Sequence, residues 1–202
     1  MVARVSARPA LLPLLLIALG CRPAPTLAPA PTVVPAVAAV ASTPQEARVS
    51  ARTIVLVRHA EKQSEERDPA LSTIGQARAG CLAEVLADVG VTHLFNTEFR
   101  RTHETLAPLA ERVRLTPKQL PAAATTEWVA ALRGLSPGAL AVVAGHSNSI
   151  PGLVAALDAG EVTIEHGDYD WMFVVSLPDR GPPTLLRLHY CVDAGSPQRP
   201  RP

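Results

Sequence analysis

The chain has 202 residues, 48% of them apolar and only 3% aromatic, with a formal charge of +1. That suffices for one packed domain with appendages, in which Ala, Leu and Val do most of the packing. A charge so near zero gives no electrostatic case for nucleic acid as a partner.

The first element is different in kind from the rest. "MVARVSARPALLPLLLIALGC" carries Arg4 and Arg8, an apolar run from Ala10 to Leu19, then Gly20-Cys21. This is a basic n-region, an h-region of secretory length and a small residue before a cleavage point. The run is too short and too sharply ended to read first as a spanning helix. A cysteine directly after Ala-Leu-Gly resembles a bacterial lipoprotein signal. Residues 1–21 are therefore expected to be a lipoprotein-type signal peptide ending at Cys21, the lipidation site. Ala18 and Leu19 depart from the usual pattern there, and plain secretion or retention as a membrane anchor are the alternatives. Either way the expected location is exported, on a bacterial envelope or secreted, with membrane contact only through the N-terminal lipid. Removing residues 1–20 takes Arg4 and Arg8 from the 19 basic residues and leaves 17 against 18 acidic ones. Any positive potential in the mature protein must then be local.

Residues 22–50 are rich in Pro and Ala, with few charges and no amphipathic period. Repeated Pro removes backbone donors and favours extended structure, so a disordered or semi-rigid tether is expected. The folded domain is expected over residues 51–192, with a disordered tail at 193–202. "TIVLV" (53–57) is a short apolar run suited to a central strand. A helix follows from Ser72 or Thr73 to Gly90, with Ala77, Leu82, Val85, Leu86 and Val89 near helical spacing. "VTHLFNT" (91–97) reads as a strand. Residues 100–113 read as a helix that Pro108 kinks or interrupts. A shorter helix enters through Thr125 or Thr126, and "ALAVVAG" (139–145) is a third apolar strand. The next helix has Pro151 in its first turn, where proline is tolerated. "WMFVVSL" and "TLLRLHY" close the domain as a hairpin across "PDRGPP". Strands alternating with helices and then a hairpin predict an α/β sandwich of three layers, α/β/α, with a mostly parallel sheet and an antiparallel edge hairpin. Cys81 and Cys191 either pair or stay as two buried free thiols, and the spacing favours neither over the simple thiol reading. No metal-ligand spacing of Cys or His is present.

Ligands in such folds bind beyond the carboxyl ends of the parallel strands. Arg58-His59 lies just past "TIVLV", "NTEFRRTHET" just past "HLF", and Gly145-His146-Ser147 just past "ALAVV". Three strand ends thus bring guanidinium or imidazole groups to one edge, where each alone would read as a turn.

These segments, "LVRHAEK", "LSTIGQARA", "NTEFRRTHET" and "VVAGHSNSIPGLV", resemble the histidine phosphatase superfamily, also called phosphoglycerate mutase-like, over about residues 53–190. The "RHAEK" form resembles the small phosphatase branch that includes phosphohistidine phosphatases. The resemblance implies a phosphoglycerate mutase-like fold and no cofactor or metal. It implies a small phosphorylated substrate, with His59 as the nucleophile that becomes a phosphohistidine. Arg58, Arg101 and His146 bind the phosphoryl group. Arg101 rather than Arg100 takes this role because Thr102 and Thr105 then fit the Arg-Thr-x-x-Thr segment. The residues suit that chemistry: a phosphoryl group spreads charge over several oxygens and needs convergent cations, and planar guanidinium groups match them.

The donor of the leaving-group proton stays open. Glu127, near a helix start, resembles the mutase placement, though a charge in a first helical turn is favourable in its own right. Glu61 sits within the motif and can act as the acid or contact the substrate. Asp168 and Asp170 read rather as a turn before a strand. Asn148 and Ser149, beside His146 at a helix N-terminus, are candidate substrate contacts. His93, His103, His166 and His189 read as structural or surface residues, and no basic rim is apparent. Two other functions stay open: a phosphoglycerate mutase-type phosphotransferase, and a non-catalytic phosphate-binding envelope lipoprotein. The oligomeric state is not legible.

Overall fold

The computed structural model describes residues 51–192. The signal peptide with Cys21, the tether of residues 22–50 and the tail of residues 193–202 lie outside the described residues. No described helix is long and apolar enough to cross a membrane.

The elements in chain order are β1 (Ala51–Arg58), α1 (Thr73–Leu86), β2 (His93–Asn96), α2 (Arg100–Val113), β3 (Lys118–Gln119), α3 (Thr125–Arg133), β4 (Leu140–Gly145), α4 (Ser149–Ala156), β5 (Trp171–Pro178) and β6 (Thr184–His189). They build a six-stranded sheet in the order β3-β2-β4-β1-β5-β6. The first four strands run parallel, and β5 is antiparallel to both β1 and β6.

Strand β1 is central, and its stretch from Ile54 to Val57 is apolar because both of its faces are covered. Side chains alternate across a strand. Ile54 and Leu56 therefore pack with Trp128 and Leu132 of α3 and with Ile150, Leu153 and Val154 of α4. Val55 and Val57 pack on the other face with Leu82, Ala83 and Leu86 of α1 and with Leu106 and Leu109 of α2. The result is the expected three layers, with α1 and α2 on one face and α3 and α4 on the other.

Several local readings change. Helix α1 ends at Leu86, short of Gly90. Val85 and Val89 are exposed, while Arg78, Ala79 and Ala83 turn inward. Ser72 does cap this helix, its hydroxyl accepting from Gly75 N at 3.1 Å. Helix α2 runs unbroken through Pro108. Helix α3 starts from Ala124 without a side-chain cap. Strand β3 has two exposed residues and no apolar run to announce it. Cys81 and Cys191 form a disulfide, closing a separation of 110 residues.

Candidate active site

The parallel register sets the site. Arg58 pairs with Gly145, and Asn96 with Ala144. The next residues of three adjacent strands, His59, His146 and Thr97, therefore emerge side by side. His59 N donates to Gly145 O at 2.9 Å, fixing the two strand ends to each other. The rings of His59 and His146 lie 5.3 Å apart, edge to face. A side chain at Gly145 would crowd the first turn of α4, since a Cβ there would lie 3.0 Å from Ile150 Cγ1 and 3.3 Å from Ser149 Oγ.

The site opens as a cavity of about 410 Å³. Arg58, His59, Arg101, His146, Asn148 and Ser149 line it together. Arg58 and His59 are buried. A carbonyl oxygen only accepts, so His59 Nδ1, 2.8 Å from Ala60 O, carries the ring proton. Nε2 is then the unprotonated nitrogen. Burial, and then the neighbouring His146, Arg58 and Arg101 charges, oppose protonation against the Ala60 bond and hold the pKa of His59 at about 3. Burial, with Arg101 next, lowers that of His146 to about 4.

A guanidinium only donates, so His146 Nδ1 accepts from Arg101 Nη2 at 3.3 Å. His146 Nε2 therefore donates to Thr97 Oγ1 at 3.0 Å. Thr97 Oγ1 is 2.9 Å from Thr102 Oγ1, whose hydroxyl donates to Phe99 O at 2.7 Å. One directed chain thus fixes the tautomer of His146 from the start of α2. Thr105 plays the matching part for the loop after His59. Its hydroxyl accepts from Ala60 N at 2.9 Å and donates to Arg101 O at 2.7 Å. The Arg-Thr-x-x-Thr segment thereby docks α2 on both histidines.

Arg58 is held from the loop before β5. Its Nη1 donates to the carbonyls of Glu165, His166 and Asp168 at 3.1, 2.8 and 3.1 Å. Its guanidinium lies 4.0 Å over the Tyr169 ring. Arg58 Nε is buried and, among the described residues, has no hydrogen-bond partner. A buried donor left unpaired is costly, and an anion at this point would satisfy it. Arg101 lies 4.3 Å over the Phe99 ring and within 3.8 Å of Asp68. Arg100, by contrast, points outward to Glu104.

The two carboxylates singled out from sequence go elsewhere. Glu127 is exposed at the start of α3, because Trp128 and Leu132 take the inward face of that helix. It does not line the cavity. Glu61 does not line it either. Its carboxylate is engaged by buried Arg78, with Nη2 to Oε1 at 2.7 Å and Nε to both oxygens at 3.0 Å. Asp168 Oδ2 accepts from Glu165 N and from Trp171 Nε1, each at 3.2 Å, and Asp170 pairs with His189.

The carboxylate in the cavity lining is that of Glu66, on the loop between β1 and α1. That polar loop has no periodicity to mark it. Lys62, Arg67, Phe99 and His166 also line the cavity. His166 is thus not merely a surface residue, and the mouth carries basic groups that no sequence pattern announces. Among the described residues, no three or more His, Cys, Asp or Glu are grouped to hold a metal ion.

The sequence matches the family model of the histidine phosphatase superfamily (branch 1) over residues 54–130. A search of curated proteins by sequence returns no match. The fold is similar to that of the protein histidine phosphatase SixA solved with tungstate, with a TM-score of 0.58 and 20% identity over 68% of this chain and 96% of that one. It is similar to a structure described as mycobacterial hydrolase 1, with a TM-score of 0.55 and 18% identity over 68% and 96%. A mycobacterial glucosyl-3-phosphoglycerate phosphatase also resembles it, with a TM-score of 0.50 and 19% identity over 62% and 90%. The family model thus covers the segment from β1 into α3, and at these identities the likeness of the whole domain to these solved structures is one of fold.

Proposed function

We propose that this protein is an exported phosphatase that hydrolyses small phosphomonoesters, or phosphohistidine, through a covalent phosphohistidine on His59. The observation that carries this reading is the state of His59. Its Nδ1 is tied to the Ala60 carbonyl, and its surroundings keep the ring neutral. Nε2 thus holds a free electron pair beside Arg58, Arg101 and His146.

In the first step Nε2 attacks phosphorus in line. The N–P bond forms, the P–O bond to the leaving group breaks, and the leaving oxygen takes a proton. Arg58, including its unpartnered Nε, and Arg101 stabilise the charge on the phosphoryl oxygens. A phosphate dianion between Arg101 and His146 replaces the contact between them and draws a proton onto His146 Nδ1, turning it into a donor. In the second step water attacks phosphorus, the N–P bond breaks and the pair returns to Nε2. Asn148, Glu66, Arg67 and Ala123 are exposed at the cavity wall, which favours hydrolysis by entering water over transfer to a sequestered acceptor. Glu66 is the carboxylate placed to give the first proton and to take one from the water.

The reading involves no metal. Export is supported by the N-terminal pattern and by the Cys81–Cys191 disulfide, a bond that persists in oxidising compartments. Turnover of 4-nitrophenyl phosphate by the wild-type chain, with and without chelator, tests the activity. His59→Ala is expected to abolish both turnover and acid-labile phosphoryl labelling. Hydrolysis undiminished in that variant would refute the mechanism, and loss with chelator would refute metal independence.

A further inference from the structure

The loop carrying the nucleophile is fixed from behind by a group with no part in the chemistry. Arg78 on α1 is fully buried. Besides engaging Glu61, its Nη1 donates to the carbonyl of Cys191 at 3.2 Å. Burial works against the charge of Arg78, but the Glu61 carboxylate more than offsets it, so its pKa is raised. Cys191 has a left-handed backbone, φ 53°, which L residues rarely adopt. Its sulfur is bonded to Cys81, three residues along α1 from Arg78.

The end of β6 also reaches the other side of the site. Tyr190 N donates to Asp170 O at 2.9 Å, and His189 pairs with the Asp170 carboxylate at 3.0 Å. Asp170 directly follows Tyr169, whose ring lies under Arg58 and 6.0 Å from the ring of His59. The segment from His189 to Cys191 therefore touches both supports of the phosphate site: the loop that holds Arg58, and, through Arg78, the loop just after His59. The disulfide anchors that segment to α1.

We propose that Arg78 and the Cys81–Cys191 disulfide form a positioning clamp, so that full affinity for the phosphoryl group requires the oxidised cysteine pair. This rests on the phosphatase reading for its biological sense, but not for its test. Both cysteines are partly exposed, so a dithiol reaches them. Reduction passes two electrons and two protons to the Sγ–Sγ bond, leaves two thiols, and releases the reagent as its cyclic disulfide. The Cys191 carbonyl can then move away from Arg78, which loosens Glu61, while Tyr190 loosens Asp170.

A cross-link over so long a separation also stabilises the fold, and the readout must separate the two effects. A smaller folded fraction lowers the maximal rate and the binding stoichiometry but leaves the dissociation constant unchanged. A loosened site raises the dissociation constant.

Titration calorimetry with inorganic phosphate, alongside turnover of 4-nitrophenyl phosphate, is run on the full chain, oxidised and after dithiothreitol, below its melting temperature. C81A/C191A, R78M and E61Q are run in the same way. Reduction and C81A/C191A are each expected to weaken phosphate binding five- to twentyfold, and dithiothreitol to add nothing to C81A/C191A. R78M is expected to match that loss, and E61Q, which keeps hydrogen bonds to Arg78 but not the charge, to fall between. A wild-type phosphate dissociation constant that is unchanged by reduction overturns the clamp, whether or not the variants fold. Equal sensitivity of C81A/C191A to dithiothreitol overturns it as well. Phosphate binding without turnover in the oxidised wild type would instead refute the hydrolase reading, leaving the clamp to be judged on the dissociation constants alone.

Discussion

His59 and His146 are both kept neutral mainly by burial, with pKa values of about 3 and about 4 against an ordinary 6.5. Between those values the unfolded chain binds more protons than the folded one. Their contribution to stability is therefore complete above pH 6.5 and is lost as the pH falls towards 3. The melting temperature is expected to drop through this window, less steeply in His59→Asn. A slope identical in wild type and His59→Asn would show that His59 is not its source. The proton donor is also decided at single residues. Glu66→Gln is expected to slow alkyl phosphates by about a hundred- to ten-thousandfold, the range of positioned acid catalysis, and to spare 4-nitrophenyl phosphate, whose leaving group needs little protonation. Glu127→Gln, on the exposed side of α3, is expected to leave both rates unchanged. That Arg58, His59, Arg101 and His146 gather in one cavity is legible in the sequence, because each lies at or soon after a strand end in a recognisable segment. Glu66 is not, because only the folded course of its loop brings it to the cavity.

Helix α1 shows how a motif residue serves an element. Gly75 lies so close to the loop after His59 that a Cβ there would stand 2.1 Å from Glu61 O. Ser72 N also donates to that oxygen at 2.9 Å. Gly75→Ala must push α1 off the loop. A loss of about 1–3 kcal/mol is expected, the usual cost of overpacking, together with weakened phosphate binding, by thermal melts and titration. In α2 the sign reverses. Pro108 lies within a continuous helix, where it cannot donate to the preceding turn. Pro108→Ala is expected to stabilise the protein by up to about 3 kcal/mol, with turnover unchanged, because the contacts to the site come from Arg101, Thr102 and Thr105, one to two turns earlier. Strong apolar runs make β1, β4 and β5 readable from sequence. The inward face of α1 is misread from sequence because its largest fully buried side chain is an arginine, and hydrophobic spacing cannot see a charge that is buried with its partner. Strand β3 escapes such a reading because two exposed residues pair with β2 and carry no pattern at all.

At the scale of the whole molecule, alternation of strand and helix and the closing hairpin set the three layers before any coordinates are needed. The disulfide is not readable in this way, because two cysteines 110 residues apart meet only once β6 has been laid against β5. The same topology has a consequence for how the protein comes to be made. Strand β1 emerges first among the six, yet both strands that flank it, β4 and β5, come late, ending at Gly145 and Pro178. During synthesis this central strand must wait, unpaired, for most of the domain to follow, the situation in which non-local pairing folds slowly and exposes sticky segments. It also means that a chain cut short before β5 has His59 and His146 in its sequence but no completed sheet to hold them, so the cavity they line is complete only when nearly the whole domain has arrived.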